Sequence, residues 1–307
     1  MTMNNTAINT NATINTINYT APTLSTSAIL VTLNMGSWGT LKNDKKSAEK
    51  IAADNNADIK AVSTKKNLLP DCDELKAITS LIAETRRWFN SISFVWNDDG
   101  QRLMPMMVYT DFVAEITRSE SEFWTLVDAL IAAYAQKQYN AQIQLGGLHN
   151  PDDYPDTATV RSKFKFNVDY APVPESGHFV VDLQGQARDE LVQQFNRSSQ
   201  SKLAASLAEV CEEFRKCLGH LLSKLEDKDG DKQTRIHASL IPNIRKVIDR
   251  VRLATSTCFE DNADLKAAVD GFENLMSNIS VDALKHNEGA RIQVREGVNN
   301  LLSKFDF

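Results

Sequence analysis

The stretch Leu203-Ala-Ala-Ser-Leu-Ala-Glu-Val-Cys-Glu-Glu-Phe-Arg-Lys-Cys-Leu-Gly-His-Leu221 decides how the chain is read. Leu203, Leu207, Val210, Phe214, Cys217 and Leu221 follow one another at intervals of four, three, four, three and four residues. On a helix this alternation keeps every one of them on a single line, the seam along which helices pair. The same theme runs to the end of the chain. A polar turn, Glu226-Asp-Lys-Asp-Gly-Asp-Lys232, precedes a second stripe of Ile236, Leu240, Ile244, Val247, Val251 and Ala254. Pro242 inside it kinks the helix or marks its start, because proline lacks the amide that an interior turn needs. Leu265, Val269, Phe272 and Met276 predict a third helix, and Ile292, Val298, Leu301 and Leu302 a last one. Residues 188–307 therefore read as a helical hairpin or coiled-coil bundle.

Upstream the pattern changes. Ala28-Ile-Leu-Val-Thr-Leu-Asn34 is a short apolar, β-branched run closed by Gly36, which predicts a buried strand. Lys45 to Asn55 and Asp71 to Asn90 read as helices, the second capped by Asp71 or Asp73. Asp99-Gly100 between apolar flanks is a hairpin turn. Val108 to Asn140 carries a wide apolar stripe, which the polar Arg118-Ser-Glu-Ser-Glu122 is expected to break in two. Phe164-Lys-Phe-Asn-Val-Asp-Tyr170 alternates strictly, as a half-buried strand does. A turn over Pro172–Gly177 then leads to a return strand at His178–Leu183. The predicted class is α+β and predominantly α-helical, with a small antiparallel or mixed sheet packed on long helices ahead of the bundle. The expected division is a flexible tail over 1–27, an α+β domain over 28–187 and a helical region over 188–307.

The tail is an Asn/Thr/Ile/Ala tract without a charged residue before Lys42. It lacks the basic start and compact apolar core of a signal peptide. Hydrophobic residues make up 42% and charged residues 24%, the proportions of a globular chain rather than a disordered one. The net charge of −6 argues against a general cationic coat for nucleic acid. No apolar run approaches the roughly 18 residues of a membrane span. Cys72, Cys211, Cys217 and Cys258 form neither a C-x-x-C pair nor a zinc spacing, so they read as core residues of a reducing cytoplasm.

Signals for chemistry are sparse. Phosphate-loop, dinucleotide, zinc-protease and nucleophile-elbow motifs are absent, so an enzyme is the less favoured reading and no cofactor or metal is expected. Asp227-Lys-Asp-Gly-Asp231 resembles a calcium loop only faintly: Gly230 is fourth rather than sixth, and Ala238 stands where a bidentate Glu belongs. His149 has Asp152, Asp153 and Asp156 as sequence neighbours, but turn and capping duties account for the aspartates. Arg245, Lys246, Arg250 and Arg252 cluster on one helical segment and could contact phosphates or an acidic partner, with Asp249 among them. Trp38 and Trp96 sit at turns beside strands, where an aromatic either packs at the sheet margin or stacks on a base or partner. Lys304-Phe-Asp-Phe307 carries too little acid to count as a recruiting tip.

Ile29-Leu-Val-Thr-Leu-Asn-Met-Gly-Ser-Trp38, Trp96-Asn-Asp-Asp-Gly-Gln-Arg-Leu-Met-Pro105, Tyr154, Phe164-Lys-Phe166 and Pro172-Val-Pro174 together resemble an uncharacterised protein family of tailed bacteriophages. The resemblance covers roughly residues 28 to 225 and brings no catalytic residues with it. Some members are encoded near AAA+ ATPases similar to the MoxR and cobaltochelatase type. It implies a host-cytoplasmic phage protein that works by protein–protein contact, through the seam at Leu203, Leu207, Val210, Phe214 and Leu221, with such an ATPase as partner or with self-association. The alternative is a nucleic-acid-binding protein of phage replication or recombination.

Overall fold

The computed structural model describes residues 21–174, 186–225, 236–260, 262–277 and 279–304. In chain order the elements are α1 (Ala21–Ser27), β1 (Ala28–Gly36), β2 (Leu41–Asn43), α2 (Lys45–Asp54), β3 (Lys65–Asn67), α3 (Asp73–Ser91), β4 (Phe94–Val95), β5 (Gln101–Pro105), α4 (Tyr109–Leu145), α5 (Thr157–Ser162), β6 (Lys165–Pro172), α6 (Gln186–Leu225), α7 (Leu240–Thr255), α8 (Ala263–Met276), α9 (Val281–His286) and α10 (Glu288–Lys304). The chain is α+β and predominantly helical, with a small antiparallel sheet. The expected return strand at His178–Leu183 and the polar turn at 226–232 lie outside the described residues.

Two compact units emerge. One comprises Ala28–Val173 with Ser198–Glu209; the other comprises the N-terminal segment to Ser27, Pro174–Arg197 and Val210–Phe307.

In the α+β unit the sheet order is β4-β5-β1-β6, all antiparallel. Registration of β1 on both neighbours sorts the side chains into two faces. Val31, Met35, Met104 and Phe166 join the buried faces of α3 (Ile78, Leu81, Ile82, Phe89) and α4 (Phe112, Phe123, Val127, Leu130) in one core. Phe112 meets Phe89 at 5.6 Å and Phe123 meets Phe166 at 5.5 Å between ring centroids, so aromatic contacts tie α4 to both α3 and the sheet. On the opposite face Leu30, Leu103 and Phe94 form a registered, fully buried row.

The α6 segment 198–209 joins this unit because of what it offers the edge strand. The Val95 amide donates to the Glu209 carboxylate at 3.3 Å, and the Ser206 hydroxyl donates to the Val95 carbonyl. The α+β unit thus recruits residues beyond the boundary expected at 187.

Four further local expectations differ from the structure. Order begins before Ala28, because α1 occupies Ala21–Ser27 with Leu24 buried. α4 is continuous for 37 residues; Arg118 pairs with Glu115 at 2.5 Å and Glu122 at 2.9 Å, one turn to either side, so the polar segment supports the helix instead of breaking it. Neither Asp71 nor Asp73 caps α3: Cys72 holds the cap position, Asp73 is the first helical residue, and Asp71 has a positive φ of 57°. The two-stranded sheet β2–β3 has no apolar alternation and gave no signal. Gly100, by contrast, takes the φ of 83° that the hairpin turn requires.

The helical unit is built around α6, α7, α8 and α10. Val210, Phe214, Leu218, Leu221 and Leu225 of α6 are buried, as are Ile244, Ile248 and Val251 of α7 and Leu265, Val269 and Phe272 of α8. Phe214 and Phe272 meet edge-on at 6.1 Å. α8 and α10 approach closely where Gly297 faces Leu275: a Cβ there would lie 2.6 Å from a Leu275 methyl. Replacing Phe214, fully buried at 0% exposure, with alanine should lower unfolding free energy by about 3–5 kcal/mol. Leu203→Ala, at a half-buried position, should cost less than half as much. Urea denaturation of the two variants checks the ordering.

Candidate functional site

The seam residues separate by burial. Val210, Phe214 and Leu221 are buried, whereas Leu203, Leu207 and Cys217 are half-buried. The buried line of α6 runs instead through Ser206, Val210, Phe214, Leu218, Leu221 and Leu225. From Val210 onward that line serves the core of its own unit.

The basic cluster on α7 is not one solvent-facing stripe. Arg250 is buried, at 9% exposure, and ion-paired with Glu213 of α6. Arg252 pairs with Glu273 and with Asp270 of α8, the latter at 2.5 Å. Arg245 and Lys246 are exposed. α7 has acidic neighbours on two sides, so half of the expected phosphate contacts are engaged internally. Both turn tryptophans are core residues rather than exposed platforms. Trp38 is buried edge-on against Tyr134 at 5.9 Å, and Trp96 is buried with the Lys202 ammonium 5.5 Å from its ring.

Around His149 the carboxylates have separate tasks. Asp156 caps α5 by accepting the Thr159 amide at 2.9 Å. Asp152 is held in a turn, its amide donating to the Asn150 side chain. Asp153 is not a turn residue as expected: it is buried, with one oxygen 2.7 Å from the Lys42 ammonium and the other 2.7 Å from that of Lys66. His149 stacks on Tyr154 at 5.1 Å. Among the described residues no cluster of three His, Cys, Asp or Glu could hold a metal ion, and no helix is long and apolar enough to cross a membrane. Burial pushes the thiols of Cys211 and Cys217 up to about 11 and that of Cys258 to about 12, so they are protonated and unreactive. A surface depression of about 570 Å³ beside Trp124 is lined by Arg161, which lies 5.2 Å over the indole ring and pairs with Asp128.

The sequence reading missed the surface at the start of α4. Met106 (40% exposed), Met107 (67%), Tyr109 (37%) and Val113 (39%) present apolar area there, and Tyr109 touches the half-exposed Tyr170 of β6 at 6.5 Å. Met106, Tyr109 and Val113 recur at intervals of three and four, which places them on one side of the turn and helix. Periodicity had assigned Tyr109, Val113 and Tyr170 to the buried side; the exposed pairing of two consecutive methionines with two tyrosines was the available signal. Tyr139, Ile143 and Leu148 expose a second apolar group at the far end of α4.

Burial works to raise the carboxyl pKa of Asp153, but the hydrogen bonds from Lys42 and Lys66 outweigh it and hold the group below its ordinary value. A lowered carboxylate stabilises the fold above its unfolded pKa near 4 and loses that contribution as pH falls through the folded value. Acid unfolding of Asp153→Asn, followed by circular dichroism, should therefore show a shallower loss of stability below about pH 4 than the parent chain.

No protein-family model, no curated protein and no solved structure matches this chain.

Proposed function

We propose that the chain is a non-enzymatic protein that acts by protein–protein contact, a helical scaffold or adaptor made in the cytoplasm of a phage-infected bacterium. The observation that carries this reading is the apolar surface of Met106, Met107, Tyr109, Val113 and Tyr170, rimmed by the polar face of α4. Exposed apolar side chains gathered in one place mark partner surfaces in soluble proteins, and methionine with tyrosine suits an adaptable contact. The resemblance of residues 28 to 225 to a phage family encoded near MoxR-type ATPases supplies the partner, an AAA+ ATPase. The full chain should bind the ATPase of its own phage in a pull-down from purified components and alter its rate of ATP hydrolysis. Met107→Asp together with Val113→Asp should weaken that binding at least tenfold while leaving the circular dichroism spectrum unchanged. No binding and no rate change with the parent chain would end the reading.

A second reading, binding to nucleic acid, draws on a different place from the α7 cluster. Between Lys42 and Lys66 the chain carries seven lysines against four acidic residues, and most of these lysines are exposed. Binding of a fluorescent single strand should then fall steeply between 50 and 200 mM salt, as phosphate neutralisation demands (roughly these salt limits). It should be lost in the combined Lys45→Glu, Lys46→Glu, Lys50→Glu variant. Retention of binding in that variant would remove the lysines from the account.

A further inference from the structure

The two edges of the sheet are finished differently. At β4 the backbone groups of Val95 are met by Glu209 and Ser206, so side chains stand in for a neighbouring strand. At β6 no strand or side chain among the described residues pairs with the outer backbone. An unpaired edge eight residues long is a template for another strand.

The sequence of that edge specifies which strand. In register with β1, Lys165, Asn167 and Asp169 lie on one face and Phe166 and Val168 on the other. Lys165, Asn167 and Asp169 are exposed, and Lys165 makes no ion pair among the described residues. The Asp169 carboxylate is oriented by the amides of Asn34 and Asn167, each at 2.9 Å. Reading outward from Asn167, the strand is its own antiparallel complement: a cation stands two residues before it and an anion two residues after.

We propose that two copies of this chain join through β6, antiparallel about a two-fold axis at Asn167, extending the four-stranded sheet into one continuous sheet of both copies. This proposal rests on the reading of the chain as a contact protein and names a second copy as one occupant of its surface. In this register Lys165 lies opposite the partner's Asp169, and Asp169 opposite the partner's Lys165. Phe166 lies opposite the partner's Val168 in the same manner, so the apolar layer under α4 continues across the junction. A slip of one residue would turn every side chain to the wrong face. A slip of two sets Lys165 against Asn167 or Ala171 and loses the complement. Tyr170 and the adjoining apolar group at Tyr109 border the joined edges and widen the contact.

Sedimentation of the full chain over a concentration series tests the arrangement. The parent chain is expected to dimerise. K165D and D169K each replace two complementary cross-strand pairs by two like-charge pairs and should each weaken dimerisation about tenfold or more. Mixing the two variants restores both complements, so the mixture should form heterodimers, and the double variant K165D/D169K should dimerise with itself. Circular dichroism confirms that each variant is folded. A monomeric parent chain overturns the proposal, as it would if residues 178–183 of the same chain occupied the edge. A dimer indifferent to both reversals, or one that mixing does not restore, overturns it equally. A monomer that still binds the ATPase leaves the contact reading standing, and a dimer that binds no ATPase separates the two in the opposite sense.

Discussion

The packing of α4 against the β1–β6 side of the sheet is the contact on which the α+β unit depends. Phe112 and Phe123 sit eleven residues apart on α4, three turns along one face, and each meets rings from other elements. Phe112 gathers Phe89, Trp88 and Tyr170, while Phe123 gathers Phe164 and Phe166. These two side chains fix where the central strand lies under the helix. That placement decides which residues of β6 are buried and which reach solvent. The exposed group at the start of α4 is a by-product of the same geometry: the helix overruns the sheet, and its first turns have nothing of their own chain to cover them completely.

Much of the architecture was legible because its signals are local. Strict alternation located β6, the β-branched run located β1, and Asp99-Gly100 located the hairpin. Apolar spacing found α3, α4, α7 and α8. What escaped depends on tertiary partners. The strands β2 and β3 read Leu-Lys-Asn and Lys-Lys-Asn, with no periodicity to detect; they are held by pairing with each other and by the Asp153 carboxylate, 111 residues from Lys42 in sequence. The candidate sites fared worse than the fold for the same reason. Arg250 and Arg252 look like members of an exposed basic stripe until Glu213, Asp270 and Glu273 are brought beside them by helices whose mutual rotation no single-chain spacing encodes. Trp38 and Trp96 sit at turns, but their rings reach back under neighbouring elements.

The seam on α6 illustrates a subtler limit. A strict four-three rhythm assumes that one neighbour runs alongside the whole helix. α6 contributes Ser198–Glu209 to one unit and Val210–Leu225 to the other. Its buried line accordingly passes through Ser206 and Leu218, which the rhythm omits, and leaves Leu203 and Leu207 half in solvent. Ser206 would be an odd choice for a coiled-coil position; it is explained by the carbonyl of Val95 that it satisfies. A polar residue inside an apolar rhythm was thus the trace of a strand edge waiting for a donor.

The unbroken length of α4 has a consequence of scale. Tyr109 and Tyr139 stand thirty residues apart on a straight rise of about 1.5 Å per residue, a separation of roughly 45 Å. A contact of ordinary size covers about 800 Å² on each side, a footprint roughly 30 Å across. The two oily ends of this helix therefore cannot share one such footprint. Whatever shields both must be elongated or must arrive as two bodies, and the helix then acts as the measuring rod that sets their spacing.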